Sequence, residues 1–291
     1  MAHILIPEAE DLLDKELACL DHGFVRLVDY MGGDASIVQA ARVSYGEGTK
    51  KVSEDAGLIR YLMRHHHTTP FEMVELKFHC KMPIFVARQW IRHRTANVNE
   101  YSLRYSEALN EFYFPEPEVI KYQSSLNKQG REEDVPVEIQ ARVLEILKEG
   151  ALRDYAGYQE MNEAGIAREL ARIGLPLSLY TQWYWKNDLH NIFRFLGLRL
   201  DDHAQYEIRV YAQAMAQCVK AVAPVAYHAF EDYWQNALSF SQPELAVLTR
   251  LLQHTTLDEA LEGTELGKRE VREFTDKLST FYTPPPKEAA E

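Results

Sequence analysis

Cysteine is scarce in this chain of 291 residues: Cys19, Cys80 and Cys218 stand far apart, are odd in number and form no Cys-x-x-Cys pair. That argues against a disulfide framework and against a cysteine zinc site. Long apolar runs are also missing, and none approaches the ~20 residues of a membrane helix. The opening MAHILIPEAEDLLDKE has no basic region followed by an apolar stretch, so no signal peptide is visible. The expectation is a reduced, cytoplasmic protein with no membrane partner. Positive charge is in deficit, with 32 Lys and Arg against 44 Asp and Glu, a formal charge of −12. Proteins that coat DNA or RNA draw on excess positive charge, so nucleic acid is not an expected partner. A local basic pocket stays allowed. There is no internal repeat and no Gly-rich fingerprint, which argues against a solenoid, a Rossmann domain or a P-loop domain.

What is present is an ordinary globular content, 46% hydrophobic and 26% charged. Residues 8–20 read as a short acidic helix or arm, residues 23–30 as β-prone, and residues 34–43 as a helix capped by Asp34 or Ser36. Residues 53–64 form a second helix with an acidic first turn. The clearest strand is 74–82, where Val74, Leu76, Phe78, Cys80 and Met82 alternate with charged residues. Pro83 then opens a helix over 84–93, and 97–104 reads as a loop. Residues 116–136 are an irregular excursion and 137–162 a long amphipathic helix. A short helix over 168–173 ends at Gly174, a candidate C-cap. Residues 177–185 are aromatic and β-prone, 188–198 a helix with Asp188 as N-cap, and 202–234 a long helix interrupted near Pro224. Capping-box patterns at Ser241–Glu244 and Thr256–Glu259 mark short helices in the tail. Long helices mixed with β-prone runs predict an α+β (irregular α/β) fold.

The most unusual stretch is 88–94, RQWIRHR: three arginines and a histidine with no carboxylate, in an acidic protein. On a helix, Gln89, Arg92 and His93 share a face, and Arg94 and Arg104 extend the patch. Guanidinium groups match phosphate oxygens in a fork, so the cluster suits a phosphate or diphosphate. A solvated basic face paired with the surplus carboxylates is the other reading. Arg172 and Arg199 stand beside apolar residues, and either could pair with a nearby carboxylate; Asp201 and Asp202 are candidates for Arg199. The run His65-His66-His67 lacks the further ligands of a structural zinc site, and His203 with Glu207 completes no H-E-x-x-H. Ser102 has no nucleophile elbow around it, and Cys80 lies on the apolar face of its strand, where a thiol is inert.

At this point the residues resemble a family. Arg92-His93-Arg94 followed after seven residues by Ser102 is similar to the signature of the flavin-dependent thymidylate synthases (ThyX). The fuller string FVARQWIRHRTANVNEYSLRYSE carries the likeness further. So do GFVRLVDYMGGDASIVQAARVSY, HTTPFEM, ARIGLPLSLYTQWYW and FLGLRLDDHAQYEI, in the family's order. These blocks span about residues 20–230. They imply an N-terminal arm over 1–19, a catalytic domain over 20–238 and a helical C-terminal extension over 239–291. They also imply a central sheet flanked by long helices, assembled as a homotetramer with active sites at subunit interfaces.

The activity implied is reductive methylation of dUMP at C5 to give dTMP. Carbon comes from 5,10-methylenetetrahydrofolate and reducing equivalents from NADPH through FAD. By motif, His67, Thr69, Arg92, His93, Arg94 and Glu100 would bind FAD. Asp188, Leu189, His190 and Arg194 align with a further flavin-contacting stretch, although relatives read Asn-Ala-Arg and Asn at those positions. Gln89, Trp90, Ile91 and Arg92 would reach dUMP, as would Glu100, Tyr101, Ser102, Leu103, Arg104 and Arg172. Arg199 resembles the arginine placed at the uracil ring, where a permanent cation favours ionisation at N3 and makes C5 nucleophilic. The resemblance thus asks for no covalent protein nucleophile, and Ser102 is read as a binding residue. Two other classes use the same residues: a nucleotide- or RNA-binding protein that has lost catalysis, and a generic flavin reductase. In the tail, Lys268, Arg269 and Arg272 among several Glu favour a packing or interface role over a helix-turn-helix.

Overall fold

The computed structural model describes residues 4–43, 55–125, 130–251 and 267–280. The chain forms two compact units, Met1–Asn236 and Ala237–Glu291. In the first unit the strands are β1 (Glu16–Cys19), β2 (Gly23–Met31), β3 (Glu75–Pro83), β4 (Asn97–Glu100), β5 (Lys121–Gln123), β6 (Arg131–Asp134) and β7 (Tyr180–Asp188). Its helices are α1 (Pro7–Glu10), α2 (Asp34–Val43), α3 (Asp55–Arg64), α4 (Ile84–Trp90), α5 (Val137–Glu163), α6 (Arg168–Ala171), α7 (Leu189–Arg199), α8 (Tyr206–Val222) and α9 (Pro224–Phe230). The second unit contains the helices Gln242–Leu251 and Lys268–Ser279. Half of its Ser241–Glu244 box is made, with the Ser241 amide donating to the Glu244 carboxylate at 2.7 Å and the Ser241 hydroxyl donating to the same carboxylate; Thr256–Glu259 lies outside the described residues. No helix among the described residues is long and apolar enough to cross a membrane.

One five-stranded sheet carries the first unit, in the order β1-β2-β3-β7-β4. Every pairing in it is antiparallel. The period-two pattern of β3 is realised: Leu76, Phe78, Cys80 and Met82 are fully buried, and the alternate residues face outward. β7 buries Trp183 and Trp185 on the same side. Helix α8 packs beneath β1 and β2. Gly23 is required there, because a Cβ would lie 1.9 Å from the Tyr211 hydroxyl.

Four local expectations give way to tertiary context. Residues 16–19, part of the expected helix or arm, are the edge strand β1, paired with β2. Residues 97–100, expected as loop, pair with β7 as β4. Nothing in their polar sequence shows a period; the open edge of β7 supplies the order. Asp34 caps a different helix from the one expected: its carboxylate accepts the Val225 and Ala226 amides, both at 2.9 Å, at the start of α9. Gly174 is not a left-handed cap either. It closes a 3-10 turn, and the positive φ near it belongs to Gly165 after α5.

The sheet also explains how the site is assembled. β3 and β7 pair along their whole length, Glu75 opposite Asp188 and Pro83 opposite Tyr180. Nine residues of strand span about 30 Å. Helix α4 leaves one end of this pair at Pro83, and α7 leaves the other end at Asp188. Both run over the buried face, about 10 and 16 Å long at ~1.5 Å per residue. They therefore nearly meet. The meeting point is Trp90 stacked on Phe195, with ring centroids 4.8 Å apart.

Candidate functional site

The expected helix over 84–93 stops at Trp90, and Ile91 caps it. The His93 amide donates to the Trp90 carbonyl at 2.9 Å, which closes the turn. Gln89, Arg92 and His93 thus do not share a helical face. Gln89 stays on α4, while Arg92, His93 and Arg94 leave the helix and turn toward α7. Together with Thr95, Asn191, Arg194, Leu198 and Arg199 they line a cleft of about 640 Å³. Arg92, Arg94 and Arg194 are exposed, and the structure assigns them no carboxylate partner among the described residues.

Arg199 is half-buried at the inner wall. Its Nε donates to His93 Nε2 at 3.1 Å. The carboxylates expected as alternatives are engaged elsewhere: Asp201 holds His203 at 2.9 Å and Asp202 holds Arg209 at 3.3 Å. Burial, then the charges of Arg199 and Arg194, press the His93 pKa down to about 4. The ring is therefore neutral at neutral pH and can accept a hydrogen bond.

The stretch from Asp188 to Arg194 is brought to the same side. The Asp188 carboxylate accepts the Asn191 amide at 2.9 Å and its side-chain nitrogen at 2.7 Å, so it serves as the N-cap of α7. The side chains of Leu189 and Trp90 are fully buried in the core. Any contact these two positions make with a ligand would therefore run through the backbone. His190 is half-buried with its ring 6.4 Å from Trp234. The 3-10 turn Thr69–Met73 packs on α7, which brings exposed Thr69 toward it. His67 precedes that turn. His66 there adopts φ 55°, and the His67 amide reaches back to the Leu62 carbonyl at 2.9 Å. A histidine thus occupies the left-handed position that usually ends a helix with glycine.

Glu100 to Leu103 and Arg172 belong to a second, separate groove of about 480 Å³, whereas Gln89, Ile91 and Arg104 line neither cleft. The groove is lined by Glu100 to Leu103, Arg172, Glu169 and Thr181, with Ile84, Ile173, Leu175 and Leu179 as its apolar wall. Glu100 accepts the Thr181 hydroxyl at 2.8 Å. Ser102 Oγ accepts the Arg104 amide at 3.3 Å, and among the described residues no base is bonded to it. Arg104 pairs with Glu169 at 3.3 Å, and Tyr101 donates to the Glu107 carbonyl at 3.0 Å. Ile91 is exposed at the end of α4. The two clefts lie at opposite ends of β4, whose four residues span about 13 Å. Sequence reasoning missed Thr95, Asn191 and Leu198 in the first cleft and the polar Glu169 and Thr181 in the second. Asn191, Arg194 and Leu198 have helical spacing on α7, a signal that could have found them.

All three cysteines are buried. Burial raises Cys19 and Cys218 to about 12, and Cys80 rises as well. None offers a thiolate to a substrate. Among the described residues, no group of three or more His, Cys, Asp or Glu is placed to hold a metal ion.

A family model described as thymidylate synthase complementing protein matches residues 26–225. The flavin-dependent thymidylate synthase of Ruegeria pomeroyi is 57% identical over 279 residues, covering 94% of this chain and 92% of that protein. This chain belongs to the flavin-dependent thymidylate synthases. It is thus an enzyme of that family. The Ehrlichia ruminantium (strain Gardel) member is 55% identical, covering 95% of this chain and 92% of its own. Coverage this high leaves too few residues for the likeness to stop near 240, so it runs on into the C-terminal segment. Among solved structures, a UMP/dUMP methylase, PolB of Streptomyces cacaoi bound with 5-bromo-dUMP, superposes with a TM-score of 0.69 at 30% identity. The match covers 75% of this chain and 99% of that one.

Proposed function

We propose that this enzyme converts dUMP to dTMP, taking the carbon from 5,10-methylenetetrahydrofolate and reducing equivalents from NADPH through FAD. The observation that carries the reading is Arg199. It is a half-buried guanidinium whose only hydrogen bond among the described residues goes to a neutral histidine, at the wall of a cleft rimmed by Arg92, Arg94 and Arg194. A permanent cation without a carboxylate calls for an anionic partner.

The donor set fits a flavin dinucleotide. Arg92, Arg94 and Arg194 offer fork-shaped donors to a diphosphate, in a cleft open enough for an extended ligand. His93 lines it, and His67, Thr69 and His190 would add further contacts, with Glu100 contributing from the second groove. When bound, FAD supplies the redox chemistry. The chain's own residues supply charge and orientation. Arg199 stabilises negative charge on the uracil ring as N3 ionises, which raises electron density at C5. The buried thiols and the baseless Ser102 agree with activation by charge rather than by covalent attack.

The second groove supplies the other part of the dUMP site: Ser102, Arg104 and Arg172 for the phosphate, with Tyr101 and Leu103 beside them, while Gln89 and Arg92 approach from the α4 side. The separation of the two clefts along β4 supports a site completed between two copies of the chain, as in a homotetramer, with residues 20–238 as the catalytic domain and 239–291 as a helical extension. The reaction fits a cytoplasmic enzyme.

One spectrum tests the reading. The purified protein should be yellow, its visible bands should shift with dUMP, and dUMP should stimulate NADPH oxidation. Protein that stays colourless and inactive after FAD is supplied would defeat it. A generic flavin reductase would instead oxidise NADPH with no preference for dUMP. A binding protein without catalysis would hold dUMP yet release no tritium from its C5 position.

A further inference from the structure

We propose that His93 is the positioning residue of Arg199: its ring accepts the Nε–H and so aims both terminal nitrogens of the guanidinium into the cleft. The inference rests on the reading that Arg199 meets the uracil ring, and it adds a role for His93 distinct from flavin contact.

The geometry closes a small circuit. Phe195 and Arg199 lie four residues apart on α7, on one face of the helix. The His93 ring meets Phe195 edge-on, with centroids 5.0 Å apart. Its Nε2 then accepts from Arg199 Nε at 3.1 Å. The His93 backbone is held in turn by its amide bond to the Trp90 carbonyl at 2.9 Å, and Trp90 is stacked on Phe195. The imidazole is therefore wedged between two points of one helix, and only one ring nitrogen reaches the arginine.

Chemistry fixes the rest. An imidazole accepts only when neutral, and accepting at Nε2 requires the proton on Nδ1. Burial and the two neighbouring guanidinium groups keep the ring neutral. A free arginine side chain carries ~2 kcal/mol of rotamer entropy. Anchoring Nε sets the plane of the guanidinium before a ligand arrives, and Nη1 and Nη2 have no hydrogen bond to the protein among the described residues. They form a fork that matches an adjacent oxygen and nitrogen of an ionised imide, such as O2 and N3 of uracil. Preorganisation of this kind strengthens binding by removing an ordering cost at the moment of association.

The test is a double-mutant cycle on holoenzyme reconstituted with FAD, read by dUMP binding calorimetry with flavin content followed by absorbance. His93→Phe keeps the ring against Phe195 and deletes the acceptor. His93→Gln restores an acceptor at similar reach. We expect His93→Phe to weaken dUMP binding roughly tenfold, the scale of one hydrogen bond to a charged group, and His93→Gln to recover most of that loss. In the Arg199→Ala background, His93→Phe should change dUMP affinity less than twofold, because the group it positions is gone. Equal losses in both backgrounds overturn the proposal, as does His93→Phe binding dUMP normally. If Arg199→Ala alone leaves dUMP affinity unchanged, the uracil reading itself fails and the proposal with it. If Arg199→Ala weakens dUMP binding but shows no coupling to His93, only the positioning role fails. Should the Phe variant not fold, nitrogen NMR of histidine-labelled wild-type enzyme decides: an Nδ1–H tautomer at His93 supports the proposal, and a protonated Nε2 overturns it.

Discussion

The two clefts share a strand and differ in how their arginines are held. In the first, Arg92, Arg94 and Arg194 stand exposed without carboxylates among the described residues, and Arg199 leans on a neutral ring. In the second, Arg104 is paired with Glu169 and an apolar wall fills half the lining. The first cleft is therefore an anion trap over its whole width. Among the described residues, the second offers one guanidinium without a partner, Arg172, beside hydrogen-bonding groups of a loop. A long ligand with two adjacent phosphates suits the former; a single terminal phosphate suits the latter. A mean charge of −12 hides this contrast entirely.

The contrast can be broken in order of expected effect. Arg199→Ala should lower thymidylate formation by a factor on the order of 100 or more, with FAD still bound; unchanged turnover in a tritium-release assay would remove Arg199 from the chemistry. Arg92→Ala or Arg94→Ala should each weaken FAD by roughly ten- to a hundredfold, seen as colourless protein after gel filtration, while thermal unfolding of the apoprotein stays the same. Arg172→Ala should do the reverse, leaving the yellow colour intact and raising the dUMP dissociation constant about tenfold. A loss of flavin there would mean that the two clefts are not separate in role. Glu169→Gln is the mildest probe. It releases Arg104 from an exposed pair worth about 1 kcal/mol at most, so dUMP affinity should rise by no more than about fivefold and respond more strongly to salt.

Local pattern made much of the fold legible, and long-range choice of partner made the rest illegible. The alternation of β3 and the N-cap Asp188 could be read because burial period and capping act within a few residues. β4 could not, since Asn97–Glu100 has no period and takes its order from β7. Arg199 shows the same limit at the site. Local sequence offers Asp201 and Asp202 as partners, whereas the chain supplies a histidine 106 positions away. The family signature named candidate site residues, but it could not say that Trp90 and Leu189 turn their side chains into the core. Nor could it say that the signature residues divide between two ends of a strand.

The long reach of Asp34 has a consequence for the order of biosynthesis. Its carboxylate waits on α2 for amides 191 and 192 positions further along. The first turn of α9 therefore has no side-chain cap until the chain has been translated past Ala226. Domains fold largely as units as they emerge from the ribosome. A nascent chain stalled before that point would carry α2 with an unmet acceptor and the α3 surface that α9 packs against still uncovered. This enzyme should thus commit to its native state late in synthesis, in one step that joins the first helices to the last of its unit.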